Sequence, residues 1–287
     1  MASRIVHGPV MKSAFNRSMD WIGELSPELS YSLRTSLRAA AFPFRPDKRD
    51  SAPKLRDDIE LYAGLFRHAT RNFERIVSPY LDEIQWTEAR VYNGFFETID
   101  AELYHCIIRF FRPKRIIEVG AGNSTWFARD ALRVNGSGEL LAIDPSPRLH
   151  LPKDCQHVRG LVEEVELSVF DELRANDILF IDSSHSKEEA RYLVGHIYPV
   201  LRPGVLIHHH DIVFPYLGYG SFVPDWANLG EQQVILRFLS ASPTAYQVLT
   251  SSAFVRFEDP GMLMRLILSK RSRPLIAGGS IWIQKKT

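Results

Sequence analysis

Cysteine is scarce in this chain: Cys106 and Cys155 are the only two among 287 residues. They stand far apart in apolar or mixed segments, which excludes a cysteine zinc cluster and fits two free thiols in a reducing compartment. Surplus charge is missing as well. Thirty-five Lys and Arg oppose 34 Asp and Glu, a formal net charge of +1. No broad positive field is therefore available to hold a phosphate backbone, and nucleic acid is not an expected partner. No run approaches the roughly twenty uninterrupted apolar residues of a membrane span, and MASRIVHGPVMKSAFNRSMDW lacks the continuous apolar core of a secretory signal. A soluble, cytoplasmic protein is the expectation. Internal repeats and low-complexity tracts are absent too. With 45% apolar and 24% charged residues, the chain can build a sizeable globular core.

What is present has two textures. Val10, Ala14, Phe15, Met19, Ile22 and Leu25 recur at helical spacing, and Ser26-Pro27-Glu28 reads as a cap with proline at the first helical position. AAFPFRPDKRDSAPK, with three prolines and a charge cluster, is a linker or surface loop. Asp57 and Asp58 then cap a stronger helix, in which Ile59, Leu61, Tyr62, Leu65, Phe66, Ala69, Phe73 and Ile76 make one apolar face ending before Pro79. Residues 1–91 are read as an N-terminal helical extension that packs on the main domain or mediates a homo-oligomer.

From residue 92 the pattern is α/β. TIDAELYHCIIRFF is helical, KRIIEVGAGNST is a β-branched run broken by glycines, WFARDALRV is helical, and GELLAIDP is another buried run. HVRGLV, DILFIDSSH and GVLIHHHD supply further strands, with the helical SKEEARYLVGHIYPVL between the last two. Such alternation predicts a doubly wound, mainly parallel sheet with right-handed crossovers. AYQVLTSSAFVRF and GSIWIQKK lack a crossover between them, so an antiparallel edge is expected.

Gly120 and Gly122 lie where the first strand turns into its helix, and they let the backbone turn sharply and approach a ligand. The dinucleotide fingerprint needs a third glycine near the helix start; here Asn123-Ser124-Thr125 follows, with Trp126 and Phe127 beyond. A nicotinamide-dependent oxidoreductase is disfavoured on that ground. Asp144 ends the next strand, where a carboxylate accepts hydrogen bonds from both hydroxyls of a ribose; the alternative is a cap ahead of Pro145. Glu118, inside an apolar run, must find partners, because an unpaired buried charge is costly.

Together IIEVGAGNST, LLAID and DILFIDSSH resemble the class I S-adenosylmethionine-dependent methyltransferases, over roughly residues 92–287. That resemblance implies a seven-stranded sheet whose last pair is antiparallel, with the cofactor across the carboxyl ends of the first four strands. It also implies that Glu118, Gly120 and Gly122, with Asn123 and Ser124 beside them, hold the methionine portion. Asp144 would hold the ribose, and the stretch around Leu161, Val162 and Glu163 the adenine.

Asp182 ends the fourth strand and His185 follows three residues later, while His210 and Asp211 end the next strand. Two neighbouring strands thus present oxygen and nitrogen ligands to one cleft near the cofactor. The Asp-x-x-His pattern looks like the metal-dependent macrocin-type sugar O-methyltransferases and their cephalosporin-hydroxylase-like relatives. By that likeness Asp182 and Asp211 bind magnesium and His185 is the general base. An imidazole with a pKa of about 6.5 suits removal of a hydroxyl proton. His210 stands where that family has a carboxylate, and magnesium prefers oxygen ligands, which shifts the expectation toward manganese, iron or zinc. Alternation sends His208 and His210 to one face of the strand and His209 to the other, so at most two of the three serve one site. Two histidines and an aspartate also leave open an iron oxygenase of the facial-triad type.

FPYLGYGSFVPDWANLGEQQVILRFL, aromatic and rich in glycine and proline, follows the polar cluster directly, and an acceptor lid is expected at about 212–232. Tyr216, Tyr219, Phe222 and Trp226 offer flat faces to a sugar or aromatic acceptor, Glu231 begins the following helix close to the cleft and is expected beside the acceptor, and Tyr92, Asn93 and Phe96 could flank the other side. The expected activity is O-methylation of a sugar or secondary-metabolite hydroxyl, a small-molecule acceptor. The alternative from another class is a non-catalytic partner subunit of the same fold.

Overall fold

The apolar runs from residue 115 onward become strands: β1 Arg115–Val119, β2 Glu139–Ile143, β3 Gln156–Val158, β4 Ile178–Ile181, β5 Leu206–His209, β6 Tyr246–Ser251 and β7 Ile281–Lys285. They are seen in a computed structural model that describes residues 64–213, 229–267, 270 and 278–287. One seven-stranded sheet results, in the order β3-β2-β1-β4-β5-β7-β6. The pairs among β1 to β5 are parallel, and β7 runs antiparallel between β5 and β6. The fold is the expected doubly wound, Rossmann-like α/β architecture.

Six helices position the site: α1 Ala69–Val77, α2 Asp100–Phe111, α3 Asn123–Asn135, α4 Lys187–Tyr192, α5 Leu229–Ala241 and α6 Ser252–Glu258. Alternation along the strands divides the core between two faces. Ile116, Ile178, Phe180, Leu206 and Trp282 pack beneath α1, α2 and α3. Ile117, Val119, Leu179, Ile181 and Ile207 pack against Leu193, Ile197, Ile235 and Leu239 on the opposite side. The Asn72 amide donates to the Leu249 carbonyl at 2.9 Å, and Thr250 donates to the Ala69 carbonyl at 2.9 Å, so α1 packs on the sheet through β6. Residues 1–63, which hold most of the expected extension, lie outside the described residues.

Two sequence expectations shift. The run read as one strand through Phe257 ends at Ser251, whose hydroxyl accepts from the Phe254 N–H and caps α6. HVRGLV pairs only as far as Val158, and Val162 opens a 3₁₀ turn. No described helix is long and apolar enough to cross a membrane, and Cys106 and Cys155 are free thiols.

Candidate active site

Gly120 follows β1 with φ +85°, a left-handed conformation that side chains disfavour, and a Cβ there would stand 2.0 Å from the Asp182 main-chain oxygen. Its role is thus the close approach of β1 and β4 at their carboxyl ends. Gly122 has open space around its missing side chain. Asn123 and Ser124 begin α3, Ser124 being buried. Asp144 ties the loop to β2: its Oδ2 accepts from the Ala121 N–H at 2.8 Å and its Oδ1 from the Ser146 N–H at 2.7 Å. No helix starts at Asp144, so in place of the expected cap the carboxylate makes a turn contact to Ser146, and each of its oxygens keeps a further lone pair.

Glu118 is fully buried. Tyr104 donates to its Oε1 at 2.9 Å, while Oε2 has no partner among the described residues. Burial pushes its pKa up to about 8, against hydrogen bonds from Thr125 and Tyr104.

At the ends of β4 and β5 a ring of alternating groups closes. His185 Nε2 lies 3.4 Å from Asp182 Oδ1 and 3.5 Å from Asp211 Oδ2. His210 Nδ1 lies 3.4 Å from the same Asp182 oxygen and 3.3 Å from Asp211 Oδ1. His185 and Asp211 both have φ +56°, a left-handed conformation uncommon for such residues and costing about 1–3 kcal/mol each. Ser186 caps α4 by accepting from the Glu189 N–H, which fixes the turn that carries His185.

Charge is shared around this ring. Burial opposes a charge on His185, but Asp182 and Glu231 outweigh it and push its pKa up to about 10. Burial likewise opposes a charge on His210, and Asp182, Asp211 and Asp100 raise it well above the usual range. Against burial, His210 and His185 hold Asp182 well below the usual carboxylate range. Asp211 is raised, chiefly by burial. The expectation of an ordinary imidazole pKa for His185 is therefore corrected: two carboxylates hold its proton.

The three consecutive histidines part company. His208 stacks on Phe180 at 3.9 Å between ring centroids and meets Ser280 Oγ at 2.9 Å; burial lowers its pKa well below the usual range, as for a neutral core residue. His209 faces the other side and reaches Glu231 Oε1 at 3.1 Å. His210 joins the ring, and its Nε2 lies 3.3 Å from Asp100 Oδ2.

Glu231, expected beside the acceptor, is bound by two histidines. It is 3% exposed; its Oε2 lies 3.0 Å from His185 Nδ1 and its Oε1 3.1 Å from His209 Nδ1, and against burial these bonds lower its pKa to about 2. Val162 is buried in the core and Glu163 exposed. Phe96 is buried with its ring 5.0 Å from His210, and Asn93 Oδ1 accepts from the Phe95 and Phe96 N–H groups, which holds their loop. Tyr216, Tyr219, Phe222 and Trp226, with most of the expected lid, lie outside the described residues. The expected metal set of Asp182, His210 and Asp211 does converge, but its donor atoms face imidazole and carboxylate partners. Among the described residues no group of three or more His, Cys, Asp or Glu side chains is arranged to hold a metal ion.

Sequence reasoning missed Asp100 and Tyr104. Both lie on α2, and the one available signal was polar residues in an otherwise apolar helix. Asp100 is buried, accepting from Ser252 Oγ at 2.6 Å and from the Gly279 N–H at 2.9 Å.

Residues 117–212, from β1 to just past β5, match the family described as a methyltransferase domain. The chain carries a class I methyltransferase fold. Among relatives, an uncharacterized protein of Archaeoglobus fulgidus is 31% identical over 120 residues, 36% of this chain and 54% of that protein. The chain thus spans about half the length of the curated relative it matches. Among solved structures, an S-adenosylhomocysteine-bound methyltransferase of Podospora anserina, PaMTH1, aligns with a TM-score of 0.44 at 14% identity, over 86% of this chain and 98% of that one. The O-methyltransferase TomG of Streptomyces achromogenes, involved in tomaymycin synthesis and solved with S-adenosylmethionine, aligns with a TM-score of 0.42 at 18% identity, over 91% and 99%. The methyltransferase fold rests on the sheet order and the matched family, not on these distant alignments.

Proposed function

We propose that the chain is an S-adenosylmethionine-dependent O-methyltransferase acting on a hydroxyl of a small molecule, a sugar or a secondary-metabolite scaffold. The ring of Asp182, His185, Asp211 and His210 carries the reading, because it stands at the carboxyl ends of β4 and β5 beside the Gly120–Gly122 loop and Asp144. The residues suit the cofactor: Glu118 keeps a buried oxygen without a donor, a demand an ammonium group meets, and Gly122 leaves open space. When bound, S-adenosylmethionine supplies an electrophilic methyl group and a positive charge that disfavours the imidazolium form of His185. Asp144 holds the ribose hydroxyls with its remaining lone pairs. His185 takes the acceptor hydroxyl's proton at Nε2, and Asp182 and Asp211 stabilise the imidazolium so formed.

Divalent-metal assistance is a second form of this proposal, favoured by the convergence of Asp182, His210 and Asp211. Those groups are paired with one another, so proton removal by His185 stands without an ion. Titration with magnesium and manganese separates the forms, since only the second expects the rate to rise. A cytoplasmic location and self-association through residues 1–91 belong to the same proposal; gel filtration of the full chain tests the latter. The main test is transfer of a labelled methyl group to a panel of sugars, phenols and alcohols. Label in an ether product supports the reading, and label on nitrogen or carbon alone overturns the O-methyl part.

A further inference from the structure

The opposite side of β5 carries a buried chain of contacts that ends on His185. The Tyr198 hydroxyl meets His209 Nε2, His209 Nδ1 meets Glu231 Oε1 at 3.1 Å, and Glu231 Oε2 meets His185 Nδ1 at 3.0 Å. Tyr198 and His209 are fully buried and Glu231 nearly so. We propose that Tyr198 and His209 are positioning residues that act through Glu231 to fix which nitrogen of His185 faces Asp182 and Asp211.

Chemistry gives this chain one direction. Burial keeps the proton on the Tyr198 phenol, and among the described residues His209 Nε2 is the hydroxyl's hydrogen-bond partner. The hydroxyl therefore donates, His209 Nε2 accepts, and the ring proton of His209 sits on Nδ1, toward Glu231. An ionised carboxylate accepts only, so the His185 nitrogen at Glu231 must also carry a proton. Nε2 is left as the nitrogen that faces Asp182 and Asp211. A carboxylate that holds an imidazole in one tautomer is a recurrent catalytic device. Here a second imidazole and a phenol hold the carboxylate.

The inference rests on the proposed use of His185 in methyl transfer, but its test does not. In histidine-labelled full-length protein, the His185 Nδ1–H should give a nitrogen-correlated resonance protected from exchange. Tyr198→Phe keeps the ring that packs on Phe238 and Tyr246 and loses only the hydroxyl. That variant should broaden the His185 resonance and lower kcat about ten-fold, with acceptor KM and S-adenosylhomocysteine affinity unchanged. His209→Leu should lose more, and His209→Asn, whose amide can donate to Glu231, should recover part of the loss. An unchanged His185 resonance in Tyr198→Phe overturns the proposal, as does a loss of cofactor affinity in step with kcat. If no acceptor is ever methylated, the spectra still decide the relay, and the methyl-transfer reading falls separately.

Discussion

A Cβ on Gly120 would stand 2.0 Å from the main-chain oxygen of Asp182, so β1 and β4 meet at their carboxyl ends through a residue with no side chain. The oxygen belongs to backbone and cannot swing aside, and φ +85° adds strain for any other residue. Gly120→Ala should therefore cost about 2–4 kcal/mol of stability. Gly122→Ala, with open space around it, should cost little and instead weaken S-adenosylhomocysteine binding. Thermal denaturation and calorimetry of the pair check this contrast; equal destabilisation would count against it.

Asp144 and His185 belong to different steps of the proposed reaction. Asp144→Ala should weaken donor binding by at least about ten-fold, because charge-assisted hydrogen bonds to the ribose are lost. His185→Ala should keep donor affinity and lower kcat about a hundred-fold. Isothermal titration and initial rates on both variants measure the split, and equal loss of binding would show the separation to be wrong.

The two pH effects have opposite structural origins. Glu118 is pushed up to about 8, chiefly by burial, from an ordinary value near 4.5. Its contribution to stability is thus full below about 4.5 and lost as pH rises through about 8. Glu118→Gln removes that loss, so the cofactor-free variant should gain in Tm relative to wild type more at pH 8 than at pH 5. Scanning calorimetry at the two pH values checks the sign.

His185, held up to about 10 by Asp182 and Glu231 against burial, must lose its proton to act as a base. The kcat/KM profile, which reports the free enzyme, should climb with pH along a limb above the ordinary histidine midpoint of about 6.5. Glu231→Gln removes one of the charges that hold the proton, so the limb should move to lower pH even though the rate falls. Movement in the other direction would contradict the assignment.

Much of this was legible because its signals are local. Strand alternation separated His209 from His208 and His210, and the spacing of Asp182, His185, His210 and Asp211 along two strand ends brought the ring together. Contacts across long separations were not legible. Glu231 reads as an acid at a helix start beside the acceptor, and nothing in the sequence pairs it with His185, 46 residues away. Asp100 looks like any acid in a helical first turn, and only the packing of α2 over the sheet puts it against His210. The proton held on His185 was equally hidden, since it depends on two carboxylates that only the fold assembles.

Calorimetric titration of the full chain with S-adenosylhomocysteine tests the central claim most directly. The account predicts saturable binding that Asp144→Ala weakens at least about ten-fold and His185→Ala leaves intact. No binding at millimolar ligand, or binding indifferent to Asp144, would contradict it.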